Sequence, residues 1–165
     1  MTTSVTEPAE TPLVIGGREF HSRLLVGTGK YSDNETMVKT IEASGTDVVT
    51  VAVRRIDLDR KKEEGILFHL DPKRYFLLAN TAGCYTAEDA VRYSRLAREA
   101  GFNEFIKLEV LGDQDTLLPD VSGLLEAAQT LVRAALYLTY AGCAIPPWHR
   151  LPRQPLPSSR DRTRK

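Results

Sequence analysis

Lys107 and Glu109 are the side chains best placed to do chemistry. They interrupt the apolar stretch Phe105-Ile106-Lys107-Leu108-Glu109-Val110-Leu111. Side chains alternate along a strand, so Phe105, Lys107 and Glu109 share one face while Ile106, Leu108 and Val110 share the other. A half-buried surface strand turns its charges to water. A barrel strand packs its apolar face on outer helices and points its charged face inward, where catalytic groups gather. An amine held there beside a carboxylate can form a Schiff base with a carbonyl substrate. Desolvation can drive a lysine toward its neutral, nucleophilic form. The carboxylate could then move protons during imine formation and enolisation. The spacing fits equally a structural salt bridge at a sheet edge.

The other candidates carry less. Gly27-Thr28-Gly29-Lys30 at a strand end resembles a phosphate loop, but meets neither the dinucleotide nor the longer nucleotide-loop spacing. It reads better as a tight turn. Arg54-Arg55 could clamp an anion or stand solvated. Asn80-Thr81-Ala82-Gly83 is a turn cluster at the end of a strand where barrel active sites lie. His21, His69 and His149 share no catalytic or ligand spacing. Cys84 and Cys143 make neither a disulfide framework nor a metal pattern, so no metal or cofactor is expected and the compartment expected is the cytoplasm.

These residues need a scaffold of repeated strand–helix units. Leu13–Ile15, Gly16-Gly17 and Arg18–Phe20 read as a hairpin with a tight two-residue turn. Leu24–Val26 is a short strand. Ser32 with Glu35 makes a capping box that opens a helix through Met37, Val38 and Ile41, ending at Gly45. Strands follow at Val48–Val53 and Tyr75–Ala79, with a helical turn near Ile66–Leu70 between them. Thr86 caps a helix that carries Glu88–Arg92 and Arg95–Glu99 at helical spacing and closes at Gly101. The lysine strand comes fourth, and a helix runs from Val121 to about Arg133. Such alternation predicts parallel strands with helical crossovers, an α/β fold. A flavodoxin-like open sheet and a (β/α)8 barrel both fit. A full barrel takes about 250 residues, whereas this chain has 165.

Composition bounds the rest. No apolar run is long enough to span a membrane, and Met1–Thr11 is polar and acidic, with no signal-peptide or transit-segment pattern. The net charge is zero, yet residues 146–165 hold six basic side chains against Asp161 alone, leaving residues 1–145 at −5. Five of the nine prolines fall in that same tail. A segment with this composition and no periodic apolar face is expected to be disordered. It could bind nucleic acid, but Trp148 is its sole aromatic, so neither a nucleic-acid nor a membrane partner is expected.

Five blocks in order and in register resemble bacterial thiazole synthase: Leu25–Tyr31, Thr50–Arg55, Asn80–Cys84, Lys107–Val110 and Leu117–Asp120. The resemblance runs from about Leu13 to Arg133. Ala79 departs from it, standing where the family usually has proline. The resemblance implies the first half of a (β/α)8 barrel that builds the thiazole phosphate precursor of thiamine. By it, 1-deoxy-D-xylulose 5-phosphate would form an imine with Lys107, and Glu109 would be the proton shuttle. Sulfur would arrive as a thiocarboxylate on a small sulfur carrier protein, and 2-iminoacetate would supply the nitrogen-containing fragment. A homo-oligomer is implied as well. Another Schiff-base lyase or aldolase on the same fold, or a non-catalytic remnant that keeps only carrier or subunit binding, are the competing readings.

The organisation expected is therefore a disordered N-terminus over 1–12, a partial barrel over 13–133 and a tail over 134–165 outside the resemblance, disordered from 146. After Arg133 the residues that the family uses as a catalytic aspartate and as phosphate-binding loops have no counterpart. The abrupt change in composition suggests truncation or a shifted reading frame near residue 133, and a half barrel with open edges is expected to be poorly soluble and inactive. Sequencing the gene across codon 133 should show barrel-like sequence in another frame; an uninterrupted frame with none would oppose the idea.

Overall fold

In a computed structural model, residues 11–57, 65–134 and 137–140 are described. The chain starts with a hairpin of β1 (Leu13–Ile15) and β2 (Arg18–Phe20), paired antiparallel. Gly16 and Gly17 both have positive φ, 58° and 84°, the backbone that a tight two-residue hairpin turn requires. Five parallel strands follow: β3 (Leu25–Gly27), β4 (Val48–Ala52), β5 (Phe76–Asn80), β6 (Phe105–Leu108) and β7 (Tyr137–Tyr140). They lie side by side in sequence order. Helices α1 (Asn34–Ser44), α2 (Ala87–Glu99) and α3 (Val121–Arg133) connect them, with 3-10 turns at Val53–Arg55 and Ile66–His69 between β4 and β5.

That order chooses between the two architectures compatible with the sequence. A flavodoxin-like sheet reverses its strand order and covers both faces with helices. Here no reversal occurs, and the helices share one face. Met37 and Ile41 of α1, Ala90 and Ala97 of α2, and Leu124, Ala127, Ala128 and Leu131 of α3 form one core with Val49, Val51, Leu77, Ala79, Ile106 and Leu108. The opposite strand face belongs to a second cluster, Val48, Phe76, Leu78 and Phe105, closed by Phe20 of the hairpin. Phe76 meets Phe20 and Phe105 edge to face, at 5.2 and 5.3 Å between ring centroids. A singly wound parallel sheet with its helices on one face is consistent with part of a barrel.

Local signals set the element ends. The N-cap of α1 is Asp33 rather than Ser32: its carboxylate accepts from the Thr36 N–H at 2.7 Å, and the Ser32 hydroxyl donates to that carboxylate. These bonds hold the Asp33 carboxyl below its usual range, the Ser32 hydroxyl first. A charged acceptor outcompetes a hydroxyl for the first-turn N–H groups. Gly45 ends α1 in the left-handed conformation and Thr86 caps α2, both as the sequence implies. On α2, Arg92 pairs with Asp89 at 2.9 Å. Strand β7 falls within 134–165, the stretch expected from the sequence to be a tail. Its Tyr-Leu-Thr-Tyr composition suits a strand, and it pairs with β6 in the register Phe105–Tyr137 to Leu108–Tyr140.

Gly123, in the first turn of α3, is required by close approach. A Cβ there would lie 2.8 Å from Asp120 Oδ2 and 3.2 Å from Val110 Cγ1. Asp120 is the N-cap of α3, accepting from the Gly123 N–H at 3.0 Å. Glycine to alanine inside a helix ordinarily gains about 1 kcal/mol, but losing the cap costs about 1 and overpacking a further ~1–3. Gly123→Ala is therefore expected to destabilise the protein, read as a lowered urea midpoint; a raised midpoint would refute the close-approach account.

Candidate active site

On the sheet face away from the helices, side chains change character along the strands. Register places Leu25, Val48 and Phe76 level with one another near the strand starts. Ala52, Asn80 and Lys107 are level at the C-terminal ends. Phe20 of the hairpin, with Phe76 and Phe105, closes the first level. Polar groups are left for the last one.

There Lys107 and Glu109 meet. Lys107 Nζ lies 2.9 Å from Glu109 Oε1, with the side chains 28% and 17% exposed. Ile106, Leu108 and Val110 are buried in the helix-facing core. The alternation read from the sequence is therefore present, although the strand ends at Leu108 and Glu109 extends beyond it. The pair is partly desolvated yet reachable, which suits an amine that must receive a carbonyl carbon.

Asn80-Thr81-Ala82-Gly83-Cys84 borders the pair. The Asn80 carboxamide oxygen accepts from the Ala82 N–H at 3.1 Å. The Thr81 hydroxyl accepts from the Glu109 N–H at 2.7 Å and donates to the Glu109 carbonyl at 2.8 Å. Gly83 has φ +84°, and Arg54 donates a hydrogen bond to its carbonyl. Arg54 thus fixes a turn. Arg55 lines a cleft of about 420 Å³ with Glu109, Gly83, Tyr85, Leu117, Leu118 and Pro119. The Leu117–Pro119 segment folds back on the end of β6: Gly112 N–H donates to the Leu118 carbonyl, and Asp120 N–H to the Val110 carbonyl, each at 2.9 Å.

The remaining candidates go elsewhere. Thr28 donates to the Thr50 carbonyl at 3.2 Å, and Lys30 takes a left-handed turn conformation. These fit the tight-turn reading of Gly27–Lys30. His21 is exposed beside Asp47 at 3.7 Å, His69 stacks edge-on against Phe68, and His149 lies outside the described residues. Among the described residues no group of His, Cys, Asp or Glu could hold a metal ion, and no helix is long and apolar enough to cross a membrane. A second cleft, lined by Arg18, His21, Lys73 and Arg74, lies at the other end of the strands. The sequence places Thr81 in the turn cluster but does not disclose its bonds to Glu109. That partner is 28 residues away, which no local pattern reveals.

The model of the family described as "Thiazole biosynthesis protein ThiG" matches residues 14–141. The chain belongs to that family. Its match takes in β7 and passes Arg133, where the resemblance expected from the sequence ends. The thiazole synthase of Geotalea uraniireducens (strain Rf4) is 60% identical over 121 residues, covering 73% of this chain and 46% of that protein. That of Geobacter sulfurreducens is 59% identical over 125 residues, covering 76% and 48%. That of Rhodospirillum rubrum is 52% identical over 127 residues, covering 77% and 44%. The chain thus spans about half the length of the curated relatives it matches. A crystal structure of the Amycolatopsis orientalis BexX/CysO complex is similar with a TM-score of 0.64 and 29% identity, covering 79% of this chain and 54% of that one.

Cys84, the last residue of the family's turn block, is only 1% exposed. Burial first, then the Asp89 charge, pushes its thiol from 9.0 up to about 11. A pKa raised by folding contributes stability that is complete below the unfolded value and is lost as pH rises through the folded one. Stability should therefore fall between pH 9 and 11, and Cys84→Ala should flatten that fall in chemical denaturation at each pH. An unchanged slope in the variant would assign the loss to other groups.

Proposed function

We propose that Lys107 is the imine-forming lysine of a thiazole synthase site and Glu109 its proton shuttle. The observation that carries this reading is the placement of the pair: 2.9 Å apart, facing away from the helices, at the C-terminal edge of a parallel sheet. The chemistry follows from the groups. Lys107 first gives its proton to Glu109, the freed amine attacks the ketone carbon of 1-deoxy-D-xylulose 5-phosphate, and protons from the amine and from Glu109 let the carbonyl oxygen leave as water. The imine acidifies the neighbouring hydroxyl-bearing carbon; Glu109 takes that proton and returns it to the former imine carbon, so that the enaminol becomes a ketone at the neighbouring carbon with lysine held as a secondary amine. Sulfur from a thiocarboxylated carrier protein and the nitrogen-containing fragment of 2-iminoacetate then complete the ring.

Two features support the partners. The cleft beside Glu109 opens at the strand ends, where a protein segment could deliver sulfur, and the similar BexX structure is a complex with a second protein. Val121, Leu125 and Val132 of α3 expose apolar side chains, which supports a homo-oligomer. By resemblance, the phosphate loops and the catalytic aspartate belong to the half of the relatives that this chain does not span. We assign imine formation to Lys107 and the accompanying proton transfers to Glu109. The second reading, carrier binding without chemistry, draws on the same complex.

Borohydride reduction in the presence of 1-deoxy-D-xylulose 5-phosphate should leave a secondary-amine adduct on Lys107, located by peptide mass spectrometry. Lys107→Arg should abolish it, and Glu109→Gln should slow its formation by about 10²–10⁴-fold, the usual contribution of general acid–base catalysis. An adduct on other lysines, or none, would overturn the imine reading. Capture of a thiocarboxylated carrier without any adduct would favour the second.

A further inference from the structure

We propose that Thr81 is a positioning residue for the Lys107–Glu109 pair: its hydroxyl fixes the Glu109 backbone in the register that turns both side chains into one site. The catalytic meaning of this inference rests on the imine reading, while its geometry rests on hydrogen bonds alone. The ladder between β5 and β6 pairs Ala79 with Ile106 and Asn80 with Lys107, and then ends. Past that rung β5 turns away into Thr81–Cys84, so Glu109 has no strand partner on the β5 side, and the described pairing with β7 ends at Leu108. A strand without a neighbour can slip or bulge, and a slip of one residue exchanges its two faces.

Thr81 holds this point with three bonds. Its N–H donates to the Lys107 carbonyl at 3.2 Å. Its hydroxyl accepts the Glu109 N–H at 2.7 Å and gives its own proton to the Glu109 carbonyl at 2.8 Å. The hydroxyl thus takes the part of an absent strand residue, one donor and one acceptor on a single atom. A carboxylate of similar size lacks the donor, and an apolar side chain lacks both. Thr81 is 0% exposed, so it acts through the pair and not on a substrate. Farther along, the Leu111 N–H donates to the Cys84 carbonyl at 2.8 Å, so the turn borders the segment on both sides of the pair.

A water-soluble carbodiimide tests the placement directly. It activates a carboxylate, the adjacent amine displaces it to form an amide, and the reagent leaves as its urea. The full chain should yield a Lys107–Glu109 amide, detected by peptide mass spectrometry, together with a Lys39–Glu35 amide from the pair at 2.5 Å on α1 as an internal reference. Thr81→Ser should keep the ratio of the two products. Thr81→Val, matched in shape but without the hydroxyl, should lower the Lys107–Glu109 product severalfold and leave the reference unchanged. An unchanged ratio in Thr81→Val would overturn the proposal, and so would an equal loss in Thr81→Ser, which would credit the packing of the methyl group. If Thr81→Val loses the reference product through unfolding, amide exchange decides: slow exchange of the Glu109 N–H in both the natural chain and Thr81→Ser supports the proposal, and exchange at an unstructured rate overturns it. An intact cross-link without a trapped imine would sink the imine reading while leaving the positioning of the pair in place.

Discussion

Ile106, Leu108 and Val110 have to be buried against the helices, and that requirement orients β6 and its continuation. Each such side chain gains about 1.5–3 kcal/mol on full burial, whereas a partly exposed ion pair contributes about 0–1. The attraction between Lys107 and Glu109 is therefore too weak to set the orientation of the segment. Burial of the alternate residues sets it, and the charges go where the alternation sends them. The ion pair results from the packing of the other face.

The same logic grades the inner face. Phe20, Phe76 and Phe105 close it near the strand starts, with the Arg18 guanidinium 4.5 Å over the Phe76 ring. Polar residues are left for the opposite end, where the strands run out into turns. Those turns fix the site: Arg54 ties down the Gly83 carbonyl, Thr81 holds the backbone at Glu109, and Asp120 N–H reaches back to Val110. The thiazole biosynthesis family model matches residues 14–141, a range that includes every one of these groups.

Much of this organisation was legible before any coordinates. The hairpin followed from Gly16-Gly17, the start of α2 from Thr86 and the end of α1 from Gly45, because each of these depends on neighbours within a few residues. The cap of α1 was read one residue early at Ser32, since the choice between a hydroxyl and the adjacent carboxylate is made by hydrogen-bond geometry. Strand β7 was not anticipated. Four residues of mixed polarity carry little periodic signal, and their partner, β6, lies about thirty positions away.

By itself the sequence determined the alternation of strands and helices, the facing of Lys107 and Glu109 to one side, and the likeness of five blocks to thiazole synthase. These follow from period-two and helical patterns and from short motifs, all of which are local. The tertiary structure decided the sequential strand order, the helices on a single face, the 2.9 Å approach of the amine to the carboxylate and the grip of Thr81 on Glu109. Each of these joins residues far apart in the chain, through strand pairing and packing that become defined only when distant segments meet.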